Sequence, residues 1–404
     1  MIFSSIDIFC NCIDNFGDAG VVYRFAKEFN VKHPQCRIRV FIDSKETLQT
    51  IVKEIDPNQL IQEHESITYI STLALREELN NDLGVADIMV EAFACHIPEP
   101  LLELAYDKSK LIINLEYLSA ENWVDDYHLK ESLLGRGSVR KFFFMPGFRK
   151  TTGGLILNSR LKSMLADNNF DRFKVLNALL SPFCNFHNVV DLQEDELIGT
   201  VFTYKRGFDS LLVDLAALNH ETTLLIFGEK SKESISASLN RLLGDQYCES
   251  GKKQYPQEYR YKNIKLIYMP FIDQHSYDTL LCCTDFNIVR GEDSLARAVL
   301  SGKPFIWNAY IQDEKYQQVK VKALLETMRP FYKDITDFTD YSDLMIKFND
   351  AASESTDQTT TERYHLFLKN LKKHEHAAGE MSYFIHLNCD LINNFTNFLN
   401  KFQN

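Results

Sequence analysis

The chain has 404 residues, 45% of them apolar and 25% charged, which excludes a single small core and fits two domains of ordinary size. A formal net charge of -12 excludes a surface built to wrap nucleic acid, because neutralising phosphates needs a basic face. No apolar run is long enough for a membrane span, and the nine scattered cysteines lack C-x-x-C spacing, with Cys10/Cys12 and Cys282/Cys283 the only close pairs, so they read as reduced thiols rather than a zinc site.

The first half alternates short Ile/Val/Phe runs with helical patterns. Strands are predicted over Ile6–Cys10, Ile38–Ile42, Ile67–Ile70, Ala86–Ala92, Leu111–Leu115 and Lys141–Phe144, with helices over Ala19–Phe29 and Pro100–Tyr106 among those between them. The N-terminus lacks a basic region and a small-residue cleavage site, so it reads as a strand and its turn rather than a signal peptide. Continuous apolar strands alternating with helices imply a parallel sheet.

Between the first strand and the first helix lies NCIDNFGDAG, Asn11–Gly20. Asp14 and Asp18 fall at the carboxyl end of a buried strand, where ligands of such sheets bind. Gly17 and Gly20 suit a tight turn and a close backbone approach. Asp18 as an N-cap of a helix starting at Ala19 accounts for one aspartate and leaves the other unexplained. A carboxylate pair facing a crevice can position and deprotonate a nucleophile.

Met145–Asn158, MPGFRKTTGGLILN, is punctuated by Pro146, Gly147, Gly153 and Gly154, and the polar helical stretch Arg160–Leu180 leads out of the first domain. A second alternating series follows. Its predicted strands are Glu196–Tyr204, Thr222–Glu229, Ile264–Phe271, Asp285–Val289 and Lys303–Trp307; its helices are Asp209–Leu218, Ser234–Leu243, His275–Cys283 and Ser294–Leu300. Glu249–Lys262 reads as a polar surface insertion and Ser353–Glu362 as a mobile low-complexity stretch. The last forty residues are helical in pattern. The fold class is α/β, two Rossmann-like doubly wound domains facing a central cleft. The first covers 1–185, with a C-terminal helix, 380–404, packing back on it, and the second covers 186–379.

Three runs in the second domain could bind a nucleotide. After the strand Asp285–Val289 come Arg290, Gly291, Glu292, Asp293 and Ser294, then a helix. A helix N-terminus with an arginine fork beside it suits phosphate. Glu292 and Asp293 suit hydroxyls, so the set points to a nucleotide-sugar diphosphate. The plainer alternative is that Asp293 or Ser294 caps the helix and Arg290 pairs with Glu292. Phe202 and Tyr204 share one face at period two, and Phe271, Gln274 and Tyr277 follow another strand. These rings could hold a flat base with Gln274 reading its edge, or could simply fill core.

The chain resembles the protein-arginine rhamnosyltransferases that modify bacterial elongation factor P. The resemblance rests on DNFGD (Asp14–Asp18), NLEYLSAENWV (Asn114–Val124), FFFMPGFRKTTGGL (Phe142–Leu155), FTY (Phe202–Tyr204), MPFIDQHSYDTLL (Met269–Leu281), and RGEDSLARA with GKPFIW, in family order over most of the chain. Glu249–Lys262 and Ser353–Glu362 are longer than the family needs, and Tyr277 stands where Phe also occurs. The resemblance implies a GT-B glycosyltransferase that moves rhamnose, with inversion and without a metal or other cofactor, from dTDP-β-L-rhamnose to an arginine of elongation factor P. It implies an acceptor-binding first domain and a donor-binding second domain. Asp14 and Asp18 become the catalytic pair, with Asp18 the base. Phe202, Tyr204, Phe271, Gln274, Tyr277, Arg290, Glu292, Asp293, Ser294 and Tyr310 become the donor residues. A cytoplasmic monomer that binds neither nucleic acid nor membrane is expected. The alternatives are another GT-B transferase, a nucleotide-sugar epimerase, or a non-catalytic binder of elongation factor P, which would need neither aspartate.

Overall fold

The computed structural model describes residues 3–12, 16–76, 83–132, 139–159, 161, 170–183, 192–244, 257–357 and 361–402. The chain forms two compact units: Met1–Lys162 with Phe384–Asn404, and Ser163–Tyr383.

Unit 1 runs β1 (Ser5–Cys10), α1 (Phe16–Lys32), β2 (Arg37–Ile42), α2 (Lys45–Ile51), β3 (Ile61–His64), β4 (Ile67–Ser71), β5 (Ile88–Ala92), α3 (Glu99–Lys108), β6 (Leu111–Leu115), α4 (Trp123–Tyr127), β7 (Glu131–Ser132) and β8 (Arg140–Phe144). The sheet order is β3-β4-β2-β1-β5-β6-β8-β7. All neighbours are parallel except the edge strands β3 and β7. The predicted strand at Ala86 begins only at Ile88, because the Ala86 amide donates to the Asp7 carboxylate at 3.0 Å instead of to the sheet. Asp7 is held there by a two-pronged pair with Arg39, both contacts 2.6 Å.

Unit 2 runs α5 (Arg172–Leu180), β9 (Leu197–Val201), α6 (Asp209–Ala216), β10 (Thr222–Phe227), α7 (Glu229–Leu243), β11 (Gln257–Tyr261), β12 (Ile264–Met269), α8 (Gln274–Cys283), β13 (Phe286–Arg290), α9 (Gly291–Ser301), β14 (Phe305–Asn308), α10 (Gln317–Met328), α11 (Ile335–Phe348), α12 (Tyr364–Lys369) and α13 (Leu371–Asn388). Its sheet order is β11-β12-β10-β9-β13-β14, with β11 the antiparallel edge. The division between the units falls inside α13, and α14 (Leu391–Asn400) belongs to unit 1.

The return of the chain to unit 1 explains the paired glycines. Leu155 and Leu391 exchange backbone contacts with Cys389 and Leu155 at 2.8 and 2.9 Å. Gly154 has φ +89, and a Cβ there would stand 2.3 Å from the Cys389 carbonyl oxygen, so only glycine fits. Phe395 of α14 is fully buried. Its ring lies edge-on to Phe25 at 5.2 Å and to Phe144 at 5.1 Å.

Two expectations change. Residues 257–261 of the expected surface insertion form an edge strand, β11, paired to β12; residues 249–256 lie outside the described residues. In the stretch Ser353–Glu362 two residues are anchored by ion pairs, and 358–360 lie outside the described residues. Glu354 pairs with Lys230 at 2.8 Å, and Glu362 pairs with Arg206, whose guanidinium lies 3.3 Å from the Phe348 ring centre.

Candidate active site

In each sheet the chain order reverses beside the first strand: at β1/β5 in unit 1 and at β9/β13 in unit 2. Strands on the two sides of a reversal send their loops apart, which opens a crevice at their carboxyl ends.

In unit 2 that position holds the loop after β9 and the junction of β13 with α9. The loop is fixed by side chains that take up its amides. Ser231, Ser234 and Ser238 on one face of α7 accept from Thr203, Arg206 and Phe208 at 2.8, 3.1 and 2.7 Å. Asn308 at the end of β14 accepts from Tyr204 at 3.1 Å. Arg290 then lies over the loop. Its guanidinium is 4.2 Å from the Phe202 ring centre and 5.0 Å from that of Tyr204. One of its N–H groups donates to the Thr203 carbonyl at 3.0 Å. The ring stacking and the backbone contact orient the fork.

The expected helix cap is corrected. Arg290 itself occupies the N-cap position, and its side chain does not cap the helix. Asp293 and Ser294 lie within α9. Glu292 pairs with Lys320 at 3.2 Å rather than with Arg290, and Asp293 lies 3.7 Å from the buried Arg297. Gly291 opens α9 at φ +65, with the Tyr204 hydroxyl 3.5 Å from where a Cβ would be. Trp307 fixes this turn by donating to the Gly291 carbonyl at 2.9 Å. The first-turn amides of α9 thus start beside a guanidinium and a phenol, an arrangement suited to an anion.

The aromatic residues divide. Tyr204 is buried and meets Tyr310 edge-on at 5.5 Å. Tyr277 packs edge-on against Phe202 and Phe227 at 6.2 and 6.0 Å. Burial pushes its phenol well above the ordinary range, opposed by Ser294 and Arg290 and reinforced by Asp293 and Asp278. Phe271 and Tyr310 are 50% and 53% exposed, so neither is core filler, and both are available to a flat ligand. Gln274 opens α8, three residues before Tyr277 and on the same side of the helix. The site therefore gathers Phe202, Tyr204, Tyr277, Arg290, Asp293, Ser294 and Tyr310, with Phe271 on the adjoining loop and Gln274 at the start of α8. Thr203, Asn308, Lys230 and the α7 serines were not foreseen. Only the serines left a signal, small polar residues where an apolar helix face is expected.

In unit 1 the strand ends Cys10, Ala92, Leu115 and Phe144 stand in register. Asp18 sits next to this row, 2% exposed. It lies in the first turn of α1, which includes Phe16, so it is not the N-cap of a helix starting at Ala19, and Gly17 and Gly20 are helical rather than in a turn. The helix dipole favours its negative charge there. The Cys10 thiol is pushed up by its hydrogen bond with Cys12, by burial and by the charges of Cys12 and Asp18. Past β5, Phe93 and Ala94 adopt φ of 56 and 57, and Phe93 stacks on Tyr117 at 4.7 Å. Past β6, burial pushes the Glu116 carboxyl up, opposed by the Asn114 amide at 2.8 Å. Asp14 lies outside the described residues.

Two Rossmann-like sheets in succession are the architecture of the GT-B class of glycosyltransferases. The profile of the elongation factor P rhamnosyltransferases, EarP, matches residues 6–400. The chain belongs to this family of protein-arginine rhamnosyltransferases. It is 30% identical over 331 residues to the protein-arginine rhamnosyltransferase of Pseudomonas aeruginosa PAO1, covering 80% of this chain and 81% of that one. It is 32% identical over 335 residues to that of Pseudomonas putida KT2440, covering 82% and 83%. A solved structure from work on EarP-mediated arginine glycosylation of translation elongation factor EF-P shares the fold, with TM-score 0.62 and 19% identity over 98% of this chain and 99% of that one. Among the described residues no helix is long and apolar enough to cross a membrane.

Proposed function

We propose that this chain transfers rhamnose from dTDP-β-L-rhamnose to one arginine of elongation factor P, with inversion at the sugar carbon. Unit 2 takes the donor and unit 1 the acceptor. The observation that carries this reading is the buried carboxylate of Asp18 at the carboxyl edge of β1, in a family of arginine rhamnosyltransferases.

The acceptor sets the problem. A guanidinium has a pKa above about 12 and spreads its nitrogen lone pairs over the group. A carboxylate of ordinary pKa, about 4, cannot hold it deprotonated in the ground state. Asp18 instead accepts a hydrogen bond from the attacking nitrogen, localises its electrons and takes the proton late, as the bond to the sugar forms. Asp14 binds a second guanidinium edge or orients Asp18. The nitrogen attacks the sugar carbon from the face opposite the nucleotide, through an oxocarbenium-like state, and the sugar–oxygen bond breaks towards the diphosphate.

The leaving dTDP gains negative charge. Arg290, Tyr204, Tyr310, Ser294 and the start of α9 stabilise it. Glu292 and Asp293 accept from sugar or ribose hydroxyls, Phe202, Phe271 and Tyr277 bound the base, and Gln274 reads its edge. The scheme assigns no step to a metal, and the chain acts in the cytoplasm as a monomer.

The test is intact-mass analysis of elongation factor P after incubation with the chain and dTDP-β-L-rhamnose, with and without EDTA. The expected mass gain is one rhamnosyl group, at equal rates in both samples, with fragmentation placing it on arginine and NMR of the product showing the α configuration. An unmodified factor beside an epimerised donor would replace the reading with an epimerase.

A further inference from the structure

The loop after β9 has one amide held differently from its neighbours. The amides of Thr203, Tyr204, Arg206 and Phe208 go to neutral side chains of α7 and β14. That of Lys205 goes to a carboxylate oxygen of Glu354 at 3.2 Å, from a segment 149 residues away. The other oxygen of Glu354 accepts from the Lys230 ammonium at 2.8 Å. The Lys205 ammonium points elsewhere, to Glu233 at 2.5 Å. An amide and an ammonium closing on two oxygens of one acid is the donor set that also holds a phosphate.

Its location matters. Lys230 lies in the first turn of α7, and its ammonium is 5.3 Å from the ring centre of Tyr204. The Arg290 guanidinium is 5.0 Å from the same centre. The two cationic centres are therefore within about 10 Å of each other. A diphosphate whose outer oxygens are about 5 Å apart, with a charge-assisted contact of about 2.8 Å at each end, spans that distance. Arg290 and one helix start balance only part of a diphosphate, least of all after the sugar has left. The Lys230–Glu354 pair is partly open to water, with side chains 41% and 27% exposed, and such pairs are weak enough for a more highly charged ligand to displace.

We propose that Lys230 and the Lys205 amide form a second anion subsite for the donor diphosphate, and that the Glu354 carboxylate stands in for a phosphate there until the nucleotide displaces it. This rests on the donor reading above. Lys230 becomes a donor-binding residue, and the Ser353–Glu362 stretch supplies a built-in competitor that sets nucleotide affinity and helps expel dTDP after transfer.

The test is calorimetric titration of dTDP, and separately of thymidine, into the full chain and its Lys230→Gln, Lys230→Arg, Glu354→Gln and double Gln variants, each checked for an unchanged melting temperature. Lys230→Gln is expected to weaken dTDP about tenfold and to leave thymidine unchanged, the loss of one charge-assisted contact. Lys230→Arg should restore most of the affinity. Glu354→Gln should tighten dTDP about threefold, and the gain should vanish in the Lys230→Gln background. A Lys230→Gln affinity within twofold of the parent, or weaker dTDP binding in Glu354→Gln, would overturn the subsite. Failure of dTDP to bind the parent chain would overturn the donor assignment, and the subsite with it.

Discussion

In unit 1 the first strand, β1, ends at Cys10, and the helix that follows carries a buried Asp18 in its first turn. In unit 2, β13 ends at Arg290, and α9 starts at once with Gly291. Both junctions sit where the strand order of a parallel sheet reverses. Both lie at the positive end of a helix, which favours negative charge. Unit 1 places a buried carboxylate, Asp18, in the first turn of its helix, whereas unit 2 places an arginine, Arg290, at the N-cap. On the proposed reading the first edge receives a cation and the second an anion, so that one scaffold would serve two ligands of opposite charge through a few residues at the strand–helix junction.

The comparison breaks most sharply at Asp18. Asp18→Asn keeps the shape and removes the charge, and transfer to arginine should fall by about 10²–10⁴-fold, the scale of a lost general base. Nucleotide binding should persist. Single-turnover rates on the purified variant decide this, and normal turnover would remove Asp18 as base.

Next comes the independence of the two cores. Phe395→Ala removes a buried ring from unit 1 and should cost about 3–5 kcal/mol. Calorimetric melting should show the loss, while dTDP affinity at 10 °C, below any melting, stays unchanged. A parallel loss of dTDP affinity would mean that unit 2 depends on the unit 1 core.

Arg290→Ala should weaken dTDP by about 1.5–3 kcal/mol, the value of a charged hydrogen bond. Arg290→Lys should recover only part of it, since an ammonium cannot replace the stacked fork. Titration calorimetry on both variants tests the anion half of the comparison.

A pH dependence comes from a feature that the units share. Burial lowers His128 in unit 1 and His374 in unit 2 to about 4. The unfolded chain takes up these protons near pH 6.5, whereas the folded chain does so only near 4. Each histidine therefore favours the unfolded chain increasingly as pH falls from 6.5 to 4, by up to about 1.4 kcal/mol per pH unit before solvent screening, and by nothing above that window. His374→Gln should flatten the acid side of the stability curve of unit 2, and melting at pH 7 and pH 5 measures it.

The interior strands were legible because a strand buried on both faces is apolar over most of its length, as in Leu224–Phe227 or Ile88–Val90. The edge strands were not. Ile61–His64 and Gln257–Tyr261 pair on one side only and carry polar residues that look like loop. At the site, Arg290 was legible because an arginine and small residues between a strand and a helix form a local pattern. The contacts that aim it were not, because the Thr203 carbonyl that accepts from it belongs to a loop held in turn by Asn308 through the Tyr204 amide, about a hundred residues away in sequence. The role given to Asp293 and Ser294 as caps failed by a shift of three residues, since α9 begins at Gly291, and helix ends are the least certain part of any sequence pattern. The same shift moved Asp18 from a cap into a helix.

The docking of α14 at Gly154 has a consequence for how the chain is made. Ribosomes add about 5–20 residues per second, and domains generally fold in the order they emerge. Unit 1 leads the chain, yet Leu391, Phe395, Phe398 and Leu399 belong to its core, and they come last. The whole of Ser163–Tyr383 must be synthesised first, a delay on the order of tens of seconds at that rate. Through that interval the nascent unit 1 exposes the ring surfaces of Phe25, Phe29 and Phe144 that Phe395 will cover. The unit that begins first is therefore completed only after unit 2 has been made, and its aspartate edge rests on a core that closes when α14 emerges.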